Sequence, residues 1–200
     1  MKFERKTVIW PLIKNELKPG STVLDCGSGT GIKGLQFYLE KGLNPKKVVA
    51  VDGVEKCLKV LSDFGVKTVC VNLEETNLCN VLFTKFDIIV CVEIFEHLTY
   101  PCEQRLLTDV IKLLNTGGSL IISFPRVTPM DLNLEETLKR NPFPHRRQPD
   151  FYKILADLEP LFESFMVQKH PYPTHYGKEQ GTLVLLLRKK LAKKKGNYEI

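Results

Sequence analysis

The run Phe86–Val92, FDIIVCV, is apolar at every position but Asp87, and this continuity constrains the fold more than any other feature of the chain. A strand wetted on one face alternates apolar and polar residues, whereas one that is apolar throughout must be covered on both. Shorter strand-like runs stand at Thr22–Asp25, Lys47–Val51, Lys67–Val71 and Ser119–Phe124. Between them lie helix-like stretches, Ile32–Glu40, Val54–Phe64 and Cys102–Leu114, which stop at Gly42, Gly65 and the Gly117-Gly118 pair. Strands alternating with helices form a parallel sheet covered on both sides. After Phe124 the pattern weakens through Pro125, Pro129, Pro142, Pro144 and Pro149, then recovers as a helix over Asp150–Phe162 and strands at Ser164–Lys169 and Thr182–Arg188. The expected fold is α/β, a doubly wound, mostly parallel seven-stranded sheet with helices on both faces. No internal repeat is visible.

At 200 residues the chain suits one domain with a full core, expected over residues 1–190. The formal net charge of +6 is unevenly placed. Residues 188–200 carry six basic side chains against Glu199 alone, a net +5, which leaves the rest of the chain at +1. A terminal lysine run reads first as a solvated tail, expected over 191–200, and second as a phosphate anchor from Arg188 to Lys195. The six cysteines form no C-x-x-C pair and read as reduced thiols within apolar elements. With neither a long apolar run nor a secretory leader in MKFERKTVIW, no membrane span and a cytoplasmic location are expected.

In an open α/β sheet, ligands sit beyond the carboxyl ends of the strands where strand order reverses. The first such end is VLDCGSGTGIKGL, residues 23–35, and from Gly29 it also spells G-x-G-x-x-G. In a dinucleotide fold, however, the first glycine follows the strand directly and the pyrophosphate meets a helix N-terminus. Here Asp25 stands at the strand end, where a doubly negative group is repelled. S-adenosylmethionine reverses the electrostatics, because it has no phosphate and carries a cationic amine and a cationic sulfonium. Gly27, Gly29 and Gly31 let the backbone close on such a ligand without Cβ clashes. The second strand ends in Asp52, placed to accept both ribose hydroxyls or to cap the next helix. After the third strand come Asn72 and Leu73, an amide for an adenine edge and an apolar contact for its face.

Together VLDCGSGTG, VVAVDGV, VNLEE, FDIIVCVEIFEHL and LLNTGGSLIISFP make the chain resemble the class I S-adenosylmethionine-dependent methyltransferases, from Thr22 to about Phe124. The resemblance implies S-adenosylmethionine as cofactor. It places Asp25, Gly27, Ser28, Gly29 and Gly31 at the methionine end, Asp52 and Gly53 at the ribose, Asn72 and Leu73 at the adenine, and Glu93 and Phe95 along the cofactor after the fourth strand. Asn72 departs from the aspartate that relatives often carry.

The stretch VEIFEHL carries the chemistry. Its E-x-x-E-H pattern is similar to that of ubiquinone-type small-molecule methyltransferases and to that of enzymes methylating the 2′-hydroxyl at small-RNA 3′ ends. The second group implies a divalent metal on Glu93, Glu96, His97 and a later histidine, for which His145 is the candidate. The first implies no metal and suggests His97 as the base, with Glu96 orienting it. The metal-free reading and a small-molecule O or N acceptor are preferred here, since the motif is widespread and the body of the chain is nearly neutral. An RNA acceptor and a non-catalytic cofactor-binding subunit are the alternatives. His170 and His175 read as loop residues. Phe3 and Trp10, within the first 20 residues, belong either to a lid or to a helix docked on the sheet.

Overall fold

In a computed structural model of the chain, residues 5–31, 34–125, 145–173 and 179–190 are described. A seven-stranded sheet is built from β1 (Val23–Cys26), β2 (Val48–Asp52), β3 (Lys67–Cys70), β4 (Phe86–Val92), β5 (Leu114–Pro125), β6 (Phe162–Pro173) and β7 (Glu179–Lys189). Its order is β3-β2-β1-β4-β5-β7-β6. The first five strands are parallel, and β7 runs antiparallel to both β5 and β6. Val23 is paired with Val48 on one side and Ile88 on the other, so strand order reverses beside β1, and the ligand crevice of such a fold opens at its carboxyl end.

Helices cover both faces, as continuous apolar strands require. One face is closed by α1 (Arg5–Glu16), α2 (Leu35–Glu40) and α3 (Glu55–Asp63), which bury Ile9, Ile13, Leu35, Tyr38 and Leu61 against Ile88 and Val90. The other face is closed by α4 (Tyr100–Leu113) and α5 (Phe151–Leu158), which set Leu106, Val110, Ile154 and Leu158 against Ile89, Ile122 and Phe124. Each such side chain contributes roughly 1.5–3 kcal/mol by leaving water. The first segment is thus a docked helix, with Trp10 stacked on Tyr38 at 5.8 Å; Phe3 lies outside the described residues. Among those residues no helix is long and apolar enough to cross a membrane.

Three boundaries differ from the sequence reading for physical reasons. α2 starts at Leu35, after Gly34 at φ −159° and ψ −86°, outside helical geometry; residues 32–33 lie outside the described residues. β5 starts at Leu114 rather than Ser119, with a register shift between Phe86 and Ile88. There the backbones crowd so closely that a Cβ on Gly118 would lie 2.9 Å from the carbonyls of Asp87 and Asn115. The helix expected to reach Phe162 ends at Leu158 and gives way to a 3₁₀ turn holding Pro160. The cysteines are free thiols; Cys26, Cys91 and Cys102 are buried, whereas Cys70, on edge strand β3, is exposed.

The three basic residues before the tail expected over 191–200 are engaged within the fold. Arg188 belongs to β7 and donates from Nη2 and Nε to the Glu16 carboxylate at 2.6 and 3.0 Å, joining α1 to the sheet. Lys189 Nζ donates to the carbonyls of Ile111 and Leu114 where α4 ends, and Lys190 Nζ donates to that of Pro160. Lys193, Lys194 and Lys195 lie outside the described residues. Since Glu16 is largely enclosed and Arg188 half exposed, Arg188→Ala is expected to lower the free energy of unfolding by about 1 kcal/mol after screening. Lys153→Ala, which removes an exposed pair with Asp157, should leave the urea midpoint unchanged.

Candidate functional site

The chain leaves β1 at Cys26 and turns immediately, with φ of +72° at Gly27. The N–H groups of Gly27 and Ser28 both donate to the Val51 carbonyl, at 2.8 and 3.1 Å, which lays the loop across the ends of β1 and β2. A side chain at Gly27 is excluded twice, by the backbone angle and by Ile94 Cδ1, 2.5 Å from the would-be Cβ. At Gly29, by contrast, a Cβ would meet nothing within 4 Å. This part of the loop presents bare backbone to open space.

Asp52 ends β2 and organises the loop from below. Its Oδ2 accepts from the Gly29 N–H at 2.7 Å and its Oδ1 from the Val54 N–H at 2.9 Å, while half-buried Gly53 forms the bend between. Each carboxylate oxygen has a second lone pair, so these bonds leave acceptors for ribose hydroxyls. Asp25 is buried within β1, at 7% exposure. Burial first, and then the charge of Asp52, push its carboxyl up to about 7.

Asn72 and Leu73 follow β3, as expected, but are already engaged. The Asn72 amide donates to Glu75 Oε1 at 2.9 Å and accepts from the Glu74 N–H at 3.0 Å, which leaves one donor and one acceptor site for an adenine edge. Leu73 lies largely in the core. Sequence reasoning missed Glu74, whose carboxylate accepts from the Thr99 N–H at 2.7 Å and the Thr99 hydroxyl at 3.0 Å. Glu74 thereby joins the turn after β3 to the N-terminus of α4.

Beyond β4, Glu93 holds a left-handed backbone, φ +53°, an arrangement that costs a non-glycine residue of order 1–3 kcal/mol and recurs at functional sites. Its N–H donates to the Ser123 carbonyl at 2.9 Å, and its Oε1 accepts from the Ser123 hydroxyl at 3.3 Å. Phe95, expected along the cofactor, is wholly enclosed at 0% exposure. The 3₁₀ turn Phe95–His97 turns its ring into the core, where it supports the turn from beneath.

That same turn sets Glu96 and His97 against His145, which follows 48 residues later. The two imidazole centroids are 4.7 Å apart, and one ligand-type atom from each of Glu96, His97 and His145 lies within 4.8 Å of the others. Glu96 is buried and the histidines are half-buried. Glu93 is not a member of this trio, so the four-residue metal set contracts to three. His145 is held there by its neighbours, since the Arg146 and Arg147 N–H groups donate to the Glu96 carbonyl at 2.8 and 3.4 Å. A buried carboxylate beside two imidazoles can accept, store and pass a proton, and the same N₂O donor set suits a divalent cation. His175 and residues 126–144 lie outside the described residues. His170 falls within β6.

A family model described as "Methyltransferase domain" matches residues 6–164. The chain is 30% identical over 127 residues to the malonyl-[acyl-carrier protein] O-methyltransferase of Anoxybacillus flavithermus, covering 60% of the chain and 44% of that protein. The chain spans less than half the length of the curated relatives it matches. A SAM-dependent methyltransferase from Archaeoglobus fulgidus shares the fold at TM-score 0.65 and 16% identity, over 92% of this chain and 94% of that one. So does the N-methyltransferase NodS of Bradyrhizobium japonicum in complex with S-adenosyl-L-homocysteine, at TM-score 0.58 and 16% identity, over 90% and 84%.

The Asp25 carboxyl binds a proton more tightly when folded, because its folded value near 7 exceeds the ordinary 3.8. In the ligand-free protein its contribution to stability is therefore lost as pH rises through that window. A cation placed beside it favours the ionised form and drives the proton off. Binding of S-adenosylmethionine should accordingly tighten between pH 5.5 and 7, approaching about tenfold per pH unit at the acid end. Calorimetry in buffers of different ionisation enthalpy should record the proton released, and Asp25→Asn should abolish both effects.

Proposed function

Because the chain belongs to the methyltransferase-domain family, whose members use S-adenosylmethionine, we propose that it transfers a methyl group to an oxygen or nitrogen of a small-molecule acceptor, with His97 as the base. The observation that carries this reading is the convergence of His97, His145 and Glu96 at the mouth of the β1–β4 crevice. The cofactor supplies an electrophilic methyl on a sulfonium that leaves as a neutral thioether, so the protein's contribution lies in alignment, water exclusion and proton removal. Alignment alone is worth about 7–11 kcal/mol in model systems. The backbone of Gly27–Gly31 and the carboxylates of Asp25 and Asp52 hold the cofactor at one end of the crevice. His97 takes the acceptor proton, buried Glu96 stabilises the resulting imidazolium, and His145 packs against the ring and orients it. A non-catalytic subunit would have no use for this trio.

Names among the relatives support keeping both acceptor atoms open, since one is an O-methyltransferase and another an N-methyltransferase. A small acceptor is supported by the local work of Arg188, Lys189 and Lys190 within the fold, which withdraws three of the six terminal cations from a polyanion. The second reading, 2′-O-methylation of an RNA 3′ end, rests on the same trio as a divalent-metal site. Mutual spacings within 4.8 Å and two nitrogens with one oxygen fit Mn²⁺ or Co²⁺. Such an ion would acidify a hydroxyl bound to it, with Glu96, His97 and His145 holding it.

Transfer of labelled methyl from S-adenosylmethionine to metabolite, RNA and protein fractions tests both. The base reading expects His97→Ala to lower kcat by about 10²–10⁴-fold with the cofactor Kd little changed, and chelators to have no effect. Abolition by chelator, restoration by Mn²⁺ and failure of RNA ending in a 2′-deoxynucleotide would transfer the assignment to the second reading.

A further inference from the structure

His145 comes from a stretch without regular secondary structure, residues 145–150, so something must hold it against His97. This stretch is attached two residues further on. Arg147 donates from Nε to the Leu98 carbonyl at 2.9 Å. Its Nη2 pairs with the Glu103 carboxylate, which α4 buries to 1% exposure. The Tyr100 ring lies 5.9 Å from the guanidinium carbon, within the range of a cation–π contact. With the two N–H bonds to the Glu96 carbonyl, Arg147 ties together the turn after β4, the first turns of α4 and the stretch that carries His145.

We propose that Arg147 is a positioning residue of the reaction, its guanidinium shared between Glu103 and the Leu98 carbonyl so that His145 is latched beside His97 and Glu96. The chemistry favours arginine here. A guanidinium is a rigid planar fork that directs two donors to two fixed acceptors at once, whereas an ammonium is a point charge on a flexible stem. The acceptors sit on different elements, one on the loop that presents His97 and one on a helix anchored in the core. Satisfying both fixes where the backbone of residue 147 lies, and with it the main chain two residues earlier. The burial of Glu103 makes the latch stiff, because a carboxylate enclosed by protein holds its cation far more tightly than a solvated one.

The latch rests on the reading that His145 serves the His97 site, and its test keeps the two claims apart. The geometric readout is cross-relaxation between the ring protons of histidine-labelled His97 and His145, measured by NMR in chelator-treated protein. The kinetic readout is kcat for methyl transfer together with the cofactor Kd. In Arg147→Met the ring-to-ring signal is expected to disappear, and kcat to fall by about 10–100-fold, the scale of a misplacement near 1 Å, with Kd within about twofold. Arg147→Lys should recover part of both signals. The double variant Arg147→Met/His145→Ala should be no slower than His145→Ala alone, because both changes remove one contribution. A ring-to-ring signal that persists in folded Arg147→Met, or rate losses that multiply in the double variant, would overturn the latch. If Arg147→Met does not fold, Glu103→Gln and Arg147→Lys supply the same comparison, a weakened ring-to-ring signal being expected in each and its full retention in both being contradictory. An unchanged kcat in His145→Ala would refute the reading of the site itself, while the ring-to-ring signal would still decide the latch.

Discussion

β1 is four residues long, buried throughout, and paired along both edges. A strand so enclosed has no room to continue, and the chain must leave it through a turn that only glycine can make. Gly27 makes that turn, and its N–H together with that of Ser28 finds the Val51 carbonyl. The loop therefore lies over the end of β2, where Asp52 fastens it at Gly29. Three acidic residues, Asp25, Asp52 and Glu93, thus gather along one rim of the sheet. Burial first, and then the charge of Asp52, raise the Asp25 carboxyl, and a cationic sulfonium cofactor seated beside it would supply a compensating charge. The family membership and the local electrostatics meet at this point.

The acceptor side depends on a different set of fastenings. Glu74 links the turn after β3 to Thr99, and Arg105 donates to the Leu73 carbonyl at 2.5 Å. The loop that presents Glu96 and His97 is consequently joined to the turn after β3 through α4, and to residues 145–147 through Arg147. Small loops held this way keep side chains in place without being regular structure, the condition under which proton transfer and alignment are effective.

Much of this was legible in the sequence, and the reasons differ by element. β4 runs over Phe86–Val92 as read, because a continuous apolar run bounded by turn residues admits one register. The glycine loop and Asp52 were legible because their chemistry depends on backbone freedom and a charge at a strand end. The burial of Phe95 was not legible, because a motif fixes order along the chain but not the direction in which a 3₁₀ turn points its ring. Arg188–Lys190 read as part of a phosphate anchor because a run of charges in sequence does not disclose Glu16, 172 residues away, or the carbonyls where α4 ends. Arg147 and Glu103 are 44 residues apart and belong to no local motif, so only the fold brings them together. The approach of His145 to His97 was anticipated as one of two alternatives, and its geometry now gives both a common site.

The central claim is that one crevice holds the cofactor at the Asp25–Asp52 rim and presents the reacting atoms to the His97–His145–Glu96 trio. A crystal structure with S-adenosyl-L-homocysteine tests it most directly. The account predicts ribose hydroxyls on the Asp52 carboxylate, the ligand amine beside Asp25, and the sulfur facing the trio across the space an acceptor would fill. A ligand seated elsewhere, or one whose sulfur faces away from His97, would contradict it.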